Sequence, residues 1–273
     1  MHVAILITTP DYAGLNIKQC LLESAMWRET DDRFEQWSVF ELVADPQVRI
    51  YTTATKCINC EHFDQRIAAD IFLVPTTHRS AAGVQSFTVH SIGNWGSADL
   101  GGGPKTLGIS PAVLQREALF KIRELAEGMP YQVTLEATHH GPELSKPCLF
   151  LEIGSGEESW KNADAGRVIA QTVLHLLPFA TGEKIPKGIS VVGIGGPHYA
   201  PNFLKVMERS DYAVGHIAPK HQLSYFDAEM LRQAREKTLP RAEFALLDWK
   251  GLGEHKQRVV ALLEEQKVPW KKI

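Results

Sequence analysis

The stretch CLFLEIGSGEESWKNADAGRVIAQTVLHLL, residues 148–177, decides the fold class. Its first six residues form an almost uninterrupted apolar run, which is typical of a strand buried on both faces. After a short turn, apolar residues recur at helical spacing and predict a helix over Glu157–Leu177. Ser155 and Glu158 predict a capping box in front of that helix. A buried strand followed by an amphipathic helix is the repeating unit of α/β folds.

Similar units follow one another along the chain, because short apolar runs alternate with stretches of helical spacing. The predicted strands are Val3–Thr8, Val39–Val43, Arg49–Thr53, Asp70–Pro75, Ser86–Ser91, Tyr131–Thr138, Cys148–Ile153, Gly188–Gly193, Tyr212–Ile217 and Phe244–Asp248. The other predicted helices are Asn16–Arg28, Pro111–Gly128, Asp227–Lys237 and Gly253–Gln266. This alternation predicts an α/β protein with three α/β/α layers and a mixed, largely parallel sheet. We expect an N-terminal α/β portion over residues 1–80 and a catalytic α/β portion over residues 81–273, or one compact domain overall.

The composition is that of an ordinary globular protein, since 44% of the 273 residues are hydrophobic and 22% are charged. No window approaches the roughly 20 apolar residues that span a bilayer, so we expect no membrane association. The start MHVAILITTP lacks the basic flank and long apolar core of a secretory signal. Four scattered cysteines do not form the disulfide framework of a small secreted domain. We therefore expect a cytoplasmic protein with reduced thiols.

The formal charge of −3 conceals an asymmetry along the chain. Residues 1–181 contain 14 Lys and Arg against 21 Asp and Glu, whereas residues 182–273 contain 15 against 11. A basic segment can bind a polyanion, because neutralising phosphates releases counterions. A solvated helical surface of mixed charge explains the same count, so the asymmetry alone leaves both interpretations open.

Six of the eleven histidines lie at or just beyond the ends of predicted strands. They are His78, His90, His139, His140, His198 and His216. Ligands of open α/β sheets bind at the carboxyl ends of the strands, so these six predict a functional cluster. A single histidine in such a position is more often a structural hydrogen-bonding residue, and it is their number that favours a function.

The densest of these segments is TLEATHHGPE, residues 134–143. If it is extended, Glu136 and His140 share one face of the strand and His139 points to the other. The two histidines then have different tasks. One is a general base or a metal ligand, and the other is anchored to the structure.

Two carboxylates are candidates for orienting an imidazole and raising its basicity. Glu136 is the local candidate, and Glu152 is the candidate from a distant part of the chain. Glu152 lies within an apolar run, where burial of a carboxylate is costly unless it is paired. A purely structural cap or ion pair is the alternative interpretation of Glu152.

The segment GIGGPHYAP, residues 193–201, predicts a strand, a glycine turn and a helix that begins after Pro201. Backbone N–H groups in such a turn can approach an anion. The segment is not a dinucleotide fingerprint, because His198 stands where the third glycine is needed.

Several other catalytic motifs are absent from the sequence. It contains no G-x-S-x-G nucleophile elbow, no G-x-x-x-x-G-K-[ST] phosphate loop and no H-E-x-x-H zinc helix. Cys57 and Cys60 have the spacing of half a zinc knuckle, but no second pair of ligands follows nearby. Metal binding, a redox function and ordinary thiols all remain open for this pair.

Five blocks carry a resemblance to a known family. They are HRSAAGVQSFTVHSIGNWGSADLGG (78–102), VTLEATHHGPE (133–143), FLEIGSGEESW (150–160), GIGGPHYAP (193–201) and VGHIAPKH (214–221). In these blocks and their order, the sequence resembles the D-aminoacyl-tRNA deacylases of archaea and plants. The first 77 residues contribute little to the resemblance, and Ala82 and Glu143 stand where the family often has a hydroxyl residue. The resemblance implies a fold like that of the phosphorylases and peptidyl-tRNA hydrolases.

The resemblance also implies hydrolysis of the ester that joins a D-amino acid to the 3′ end of tRNA, and it implies zinc. Acyl transfer to water needs a base or a metal that activates water, and donors for the oxyanion. The expected catalytic residues are His139, His140, Glu136 and Glu152. The expected zinc ligands are His139, His140 and His198. The expected substrate-binding residues are His78, His90, His198, Lys220 and, through their backbone N–H groups, Gly141, Gly195 and Gly196.

We expect a monomer whose substrate is tRNA carrying a D-amino acid and whose basic C-terminal third contacts the acceptor end. Two other functions remain open. One is an α/β hydrolase or phosphorylase that acts on a small nucleoside or a peptide-like substrate, because open α/β sheets support many chemistries. The other is a non-catalytic tRNA-binding protein.

Overall fold

A computed structural model describes all 273 residues of the chain. The order of its elements is β1 (Val3–Thr8), α1 (Tyr12–Ser24), β2 (Trp27–Phe34), β3 (Trp37–Leu42), β4 (Asp45–Thr53), β5 (Ile71–Thr77), β6 (Ser86–His90), β7 (Gly93–Asn94), β8 (Thr106–Leu107), α2 (Ala112–Leu125), β9 (Gln132–Leu135), β10 (Cys148–Gly154), α3 (Glu157–Trp160), α4 (Ala163–Ala180), β11 (Ile189–Ile194), α5 (Pro201–Glu208), β12 (Tyr212–Ala218), α6 (Ala228–Glu236), β13 (Phe244–Leu247), α7 (Lys256–Glu265) and β14 (Trp270–Lys272). Short 3-10 helices lie at Cys57–Asn59, Phe63–Gln65, Lys220–Tyr225 and Gly253–His255. None of the helices has the length and apolar character needed to cross a bilayer.

Eight strands form one mixed sheet in the order β2-β3-β4-β1-β5-β10-β6-β9. The pairs β4-β1, β1-β5, β5-β10 and β6-β9 are parallel, whereas β10-β6, β2-β3 and β3-β4 are antiparallel. A second sheet has the order β12-β11-β13-β14 and is parallel throughout. The predicted α/β class with a mixed, largely parallel sheet is confirmed. Strands β7 and β8 form a separate two-stranded sheet, and the division into these three sheets is not visible in the sequence pattern.

Strands β1 and β10 lie inside the large sheet and are buried along their whole length, as expected of continuous apolar runs. Helices α1, α2 and α4 pack on one face of this sheet and share its largest apolar core. The opposite face packs against Phe63 and Ile67, which belong to the connection between β4 and β5.

Strand ends from both sheets meet at one place. Ala137, just after β9, donates its backbone N–H to the carbonyl of His198 in the loop after β11, at 2.7 Å. Ile92, just after β6, forms a parallel bridge with His139. These links bring the histidines that end or follow β5, β6, β9 and β11 to a common edge.

The predicted helix Glu157–Leu177 is wrong in its middle, because it divides into α3 and α4. The side chain of Asn162 accepts a hydrogen bond from the N–H of Ala165 at 2.9 Å and caps α4. The predicted capping box is also wrong. Gly156, with φ of 107°, precedes α3, and no side chain caps that helix, so Ser155 has no capping role. Glycine adopts this backbone conformation without the steric cost of a Cβ.

The predicted helix Asn16–Arg28 is displaced along the chain. Helix α1 begins at Tyr12, because Asp11 caps it by accepting a hydrogen bond from the N–H of Gly14 at 2.9 Å. Arg28 lies in β2, an edge strand that is exposed for most of its length. Its sequence WRETDDRF contains five charged residues, so it lacks the apolar alternation that predicts a strand.

The predicted boundary near residue 80 lies between β5 and β6. Both strands flank β10, so the large sheet is continuous across the boundary. Separate folding of residues 1–80 and 81–273 stays a prediction.

Candidate active site

A cleft of about 670 Å³ opens where the strand ends meet. Six of the predicted site residues line it: His78, Glu136, His139, His140, Glu152 and His198. The two carboxylates are almost fully buried, with Glu136 1% and Glu152 3% exposed. Buried carboxylates are costly unless they are paired, so their partners define the site.

Strand β10 places Glu152 between neighbours from β5 and β6. Its Oε1 lies 3.2 Å from His90 Nε2, and its Oε2 lies 3.3 Å from both His78 Nδ1 and Thr88 Oγ1. Burial raises the pKa of Glu152, but hydrogen bonds from His78 and His90 outweigh it and hold the pKa below its ordinary value. Glu152 is therefore an ionised carboxylate that orients two imidazoles.

Glu136 follows β9 directly and has a similar role on the other side of the cleft. Its Oε2 accepts a hydrogen bond from His198 Nε2 at 2.9 Å and lies 3.4 Å from His139 Nε2. Its Oε1 lies 2.9 Å from His78 Nδ1. Burial raises the pKa of Glu136, but hydrogen bonds from His198 and His78 hold it well below its ordinary value.

His78 follows β5 and joins the two carboxylates through Nδ1. Burial lowers the pKa of His78, but hydrogen bonds to Glu136 and Glu152 raise it to about 11. His78 is therefore an imidazolium at neutral pH. Its Nε2 donates to the hydroxyl oxygen of Tyr199 at 3.0 Å, which leaves the Tyr199 O–H free to donate into the cleft.

The prediction that His139 and His140 lie on opposite faces is wrong. Strand β9 ends at Leu135, and His140 has φ of 48°, so this segment is not extended. The centroids of the two rings are 4.3 Å apart, and both rings line the cleft. Burial and the nearby His90 lower the pKa of His139 well below its ordinary value and that of His140 to about 4. Both imidazoles are neutral at neutral pH.

The neutral imidazoles have a defined tautomer. Nδ1 of His139 lies 2.8 Å from the carbonyl oxygen of Ala137, and Nδ1 of His140 lies 2.6 Å from that of Gly141. Because the Nδ1–H donates to the carbonyl in each case, the lone pair remains on Nε2. This is the arrangement that second-sphere carbonyls impose on metal-binding or basic histidines.

Several side chains are close enough to share a metal ion. Three groups have ligand atoms within 4.8 Å of one another: His90 with His139 and His140, Glu136 with His139 and His198, and His78 with Glu136 and Glu152. The third group suits a metal least, because Nδ1 of His78 is protonated and lies between the two carboxylates. Imidazoles with a carboxylate are a donor set that suits zinc. The predicted trio of His139, His140 and His198 is not one of these groups, because His90 rather than His198 is grouped with His140.

Comparisons with known proteins point to one family. A sequence model described as D-aminoacyl-tRNA deacylase matches residues 65–271. The D-aminoacyl-tRNA deacylase of Thermococcus onnurineus (strain NA1) is 37% identical over 269 residues, which cover 96% of each chain. The chain belongs to the D-aminoacyl-tRNA deacylase family. The predicted family is confirmed, and the similarity also includes most of the first 77 residues, contrary to expectation.

Other members of the deacylase family and a solved structure agree with this assignment. The D-aminoacyl-tRNA deacylase of Archaeoglobus fulgidus is 34% identical and covers 94% of this chain and 90% of its own. The crystal structure of AF0625, a conserved protein of unknown function, has a TM-score of 0.87 and 31% sequence identity, covering 99% of this chain and 95% of that one. The fold is thus shared over nearly the whole length.

The glycine N–H groups predicted to bind an oxyanion or phosphate in this deacylase-family chain already donate hydrogen bonds within the protein. Their backbone N–H groups donate to carbonyls at 3.0, 2.8 and 3.2 Å, in the pairs Gly141 to Leu100, Gly195 to Ala218 and Gly196 to Gly251. These N–H groups therefore cannot stabilise an oxyanion, and the prediction is corrected. Their acceptors lie far away in the sequence, which is why the turn residues alone suggested free donors.

Three further residues predicted for the site or the histidine cluster lie outside the cleft lining. His90 is fully buried and contacts Glu152, so it does not reach a substrate in the cleft as predicted. Lys220 pairs with Glu254, at 3.3 Å between Nζ and Oε2. His216 is fully buried, with Nδ1 3.1 Å from Thr138 Oγ1 and Nε2 3.1 Å from the carbonyl oxygen of Gly108. His216 is a structural histidine of the β12 strand.

This buried histidine makes the protein sensitive to acid. Burial lowers the pKa of His216 to about 4, whereas an unfolded histidine titrates near 6.5. The unfolded chain therefore binds more protons between these values, and we expect the free energy of unfolding to fall as the pH drops through them. One such residue contributes up to about 1.4 kcal/mol per pH unit. In urea unfolding at several pH values, His216→Gln should reduce this slope by that amount. The slope of the partly exposed control His175→Gln should match wild type, and an unchanged slope in His216→Gln contradicts the prediction.

Asp11 and Tyr199 are among the residues of the cleft lining that the sequence does not indicate. Asp11 caps α1 and also accepts hydrogen bonds from the N–H of Thr77, at 2.9 Å, and from the hydroxyls of Thr76 and Thr77. An Asp before a helix is visible in the sequence as a cap, but its contact with the end of β5 is not. Tyr199 adjoins His198 in the GIGGPHYAP segment, and this position is the signal that could have revealed it.

Cys57 and Cys60 are free thiols beside the cleft. Burial raises the pKa of Cys57 to about 12, and its Sγ lies 3.3 Å from Thr76 Oγ1. Neither cysteine belongs to a group that could hold a metal. Of the three interpretations of this pair, the structure favours ordinary thiols, with Cys60 buried and Cys57 half-buried in the cleft wall.

Proposed function

We propose that the protein hydrolyses the ester bond of D-aminoacyl-tRNA and releases free D-amino acid and tRNA. The observation that carries this proposal is a pair of neutral imidazoles, His139 and His140, beside two buried carboxylates in one cleft. Membership of the deacylase family supports the choice of substrate. It does not favour the two alternatives, a hydrolase or phosphorylase of small molecules and a non-catalytic tRNA-binding protein. We also propose that the protein acts in the cytoplasm as a monomer.

In this proposal His139 or His140 activates the attacking water through Nε2, either directly as a base or as a ligand of the metal proposed below. Both have their Nδ1–H bound to a backbone carbonyl, so Nε2 is the basic atom. General base catalysis of this kind contributes roughly 10²- to 10⁴-fold to the rate. Glu136 and Glu152 are positioning residues, because they fix His198, His90 and His78 around the reacting group.

Tyr199 is our candidate for the oxyanion donor, in place of the glycines. Its hydroxyl oxygen accepts from the His78 imidazolium, so its own O–H can donate to the carbonyl oxygen of the ester. The positive charge on His78 makes this hydroxyl a stronger donor. Donors aimed at a developing oxyanion are a major source of rate acceleration in acyl transfer.

We propose zinc as the cofactor, held by His139 together with either His90 and His140 or Glu136 and His198. The tautomers of His139 and His140 and the closeness of the ligand atoms support this choice. When bound, zinc supplies a Lewis acid that polarises a carbonyl and makes water more acidic.

Elemental analysis of the purified protein, dialysed without chelator, tests the metal. We expect one zinc ion per chain, because the two groups proposed for zinc share His139 and the third group, His78 with Glu136 and Glu152, contains a protonated imidazole. His139→Ala should lose the ion, and the double variant Cys57→Ser, Cys60→Ser should keep it. Full deacylase activity in protein without zinc contradicts the proposal, and so does loss of zinc in the cysteine variant.

Deacylation of matched D- and L-aminoacyl-tRNA tests the proposed function. We expect release of the D-amino acid well above the rate in buffer alone, and discrimination against the L ester. The two enantiomers share every functional group, so rejection depends on a clash or a lost hydrogen bond of about 1–3 kcal/mol each. Equal rates on a free D-amino-acid ester and on the tRNA ester would instead favour a small-molecule hydrolase.

A further inference from the structure

Among the Lys and Arg side chains of the acidic first 181 residues, two have no polar partner in the protein. Ten of the 14 Lys and Arg side chains in this part have a carboxylate within 4.0 Å. Lys18 and Arg116 donate instead to the hydroxyl of Thr52 and the carbonyl of Ser210. The two that remain, Lys56 and Arg79, have neither a carboxylate within 4.0 Å nor a side-chain hydrogen bond.

Both of these cations line the active-site cleft and are exposed. They come from different elements. Lys56 precedes the 3-10 helix Cys57–Asn59, and Arg79 follows His78 at the end of β5. Both unpaired cations of this part of the chain therefore lie on one cleft, whose walls also carry the buried carboxylates of Glu136 and Glu152. The arrangement indicates that their partner is a ligand.

Arg79 is held in place without using its N–H groups. Its guanidinium lies 4.8 Å from the centroid of the Trp160 ring. Trp160 is 8% exposed and donates its indole N–H to the carbonyl of His78 at 3.1 Å, so the ring is fixed relative to the cleft. A guanidinium stacked in this way keeps its planar fork of donors available for an anion.

We propose that Lys56 and Arg79 bind the internucleotide phosphates that immediately precede the terminal adenosine of the tRNA substrate. This inference rests on the proposed function. The ester must reach His139 inside the cleft, so the phosphates just before it have to pass the cleft opening. Glu136 and Glu152 repel that polyanion, and cations beside them offset the repulsion. Arginine suits bidentate phosphate binding, and lysine supplies a compact point charge.

The competing role for these residues is recognition of the amino acid itself, through an acidic side chain. The two roles predict different effects of the substitutions on hydrolysis of a substrate that lacks the phosphates. A 3′-D-aminoacyl-adenosine has the same ester and the same amino acid but no phosphate. Contacts to phosphate matter only for the tRNA ester, whereas contacts to the amino acid matter equally for both.

The experiment compares kcat/KM for a D-aminoacyl-tRNA and for the matching D-aminoacyl-adenosine. Lys56→Gln and Arg79→Gln should each lower kcat/KM for the tRNA ester about tenfold, and this loss should be several times greater than the loss on the adenosine ester. A log–log plot of kcat/KM for the tRNA ester against salt should become less steep by about 0.7 per cation removed, the value for single strands. Arg79→Lys should fall between wild type and Arg79→Gln.

Lys146→Gln is the matched control, because Lys146 belongs to the same acidic part of the chain, has a side chain that is 43% exposed, and lies just before β10, at the end opposite to Glu152. It should leave both substrates and the salt slope unchanged. Equal losses on the two substrates in the cleft variants overturn the inference in favour of amino-acid recognition, and wild-type values overturn it altogether. Thermal unfolding of each variant excludes misfolding as the cause of a loss. If wild-type protein hydrolyses neither substrate, the proposed function itself is wrong, which is a different outcome.

Discussion

Replacing His139 with alanine is expected to lower kcat for hydrolysis of D-aminoacyl-tRNA by about 10³-fold. His139 is shared by the two groups proposed to hold zinc, and its Nε2 lies 3.4 Å from Glu136 Oε2. The variant therefore removes the Nε2 lone pair that serves either as a metal ligand or as a neutral base. Single-turnover deacylation is the measurement, because it separates the chemical step from release of tRNA.

His175→Ala is the matched control for this prediction. His175 lies on α4 with its side chain 36% exposed, and its nearest carboxylate is Glu117 at 4.0 Å. The control should retain wild-type activity. Binding of uncharged tRNA should also survive in His139→Ala, since the substitution leaves the cations of the cleft in place. Wild-type deacylation by His139→Ala would contradict the proposed role and revive the non-catalytic interpretation.

The predictable part of the fold was the part whose sequence reflects burial. Strands β1, β10 and β11 are apolar runs, and they were predicted within one or two residues. Strand β2 was missed because its charged residues lie at a sheet edge, where partner strands rather than sequence pattern determine its conformation. The break before α4 was missed because the cap at Asn162 interrupts an apolar period that continues on both sides.

In the candidate site, too, some features were predictable from the sequence and others were not. Strand ends carry the histidines, and that placement was predictable from the alternation of strands and helices. The groupings were not, because the contact of His90 with His139 depends on the parallel pairing of β6 with β9. The glycine donors failed for the same reason, since the carbonyls that occupy them come from distant loops. The local sequence therefore indicates where the functional side chains lie, whereas the pairing of distant strands and loops determines which groups they contact.

The second large effect concerns stability. Glu152→Ala is expected to lower the free energy of unfolding by about 3–5 kcal/mol near pH 6, because it leaves His78 and His90 buried without this counter-charge. Burial lowers the pKa of His90, and Glu152 raises it. In the variant only the effect of burial remains, and if His90 then becomes neutral, the loss of stability is nearer to about 3 kcal/mol. Urea unfolding of chelator-treated protein is the measurement. Glu157→Ala, an exposed glutamate in α3, is the control and should change stability by less than about 0.5 kcal/mol.

The pH dependence of the stability lost in Glu152→Ala shows whether the loss comes from charge pairing or from packing. The pKa of Glu152 is lowered, so its contribution is present above the ordinary carboxyl range and is lost as the pH falls through the folded value. The pKa of His78 is raised to about 11, so its contribution is complete below about 6.5 and is lost as the pH rises towards 11. The free energy of unfolding of wild type should therefore exceed that of Glu152→Ala most between about pH 5 and 6.5, and the excess should shrink at lower and at higher pH. A cost that is constant across this range would indicate lost packing instead, because the volume removed with the side chain does not titrate.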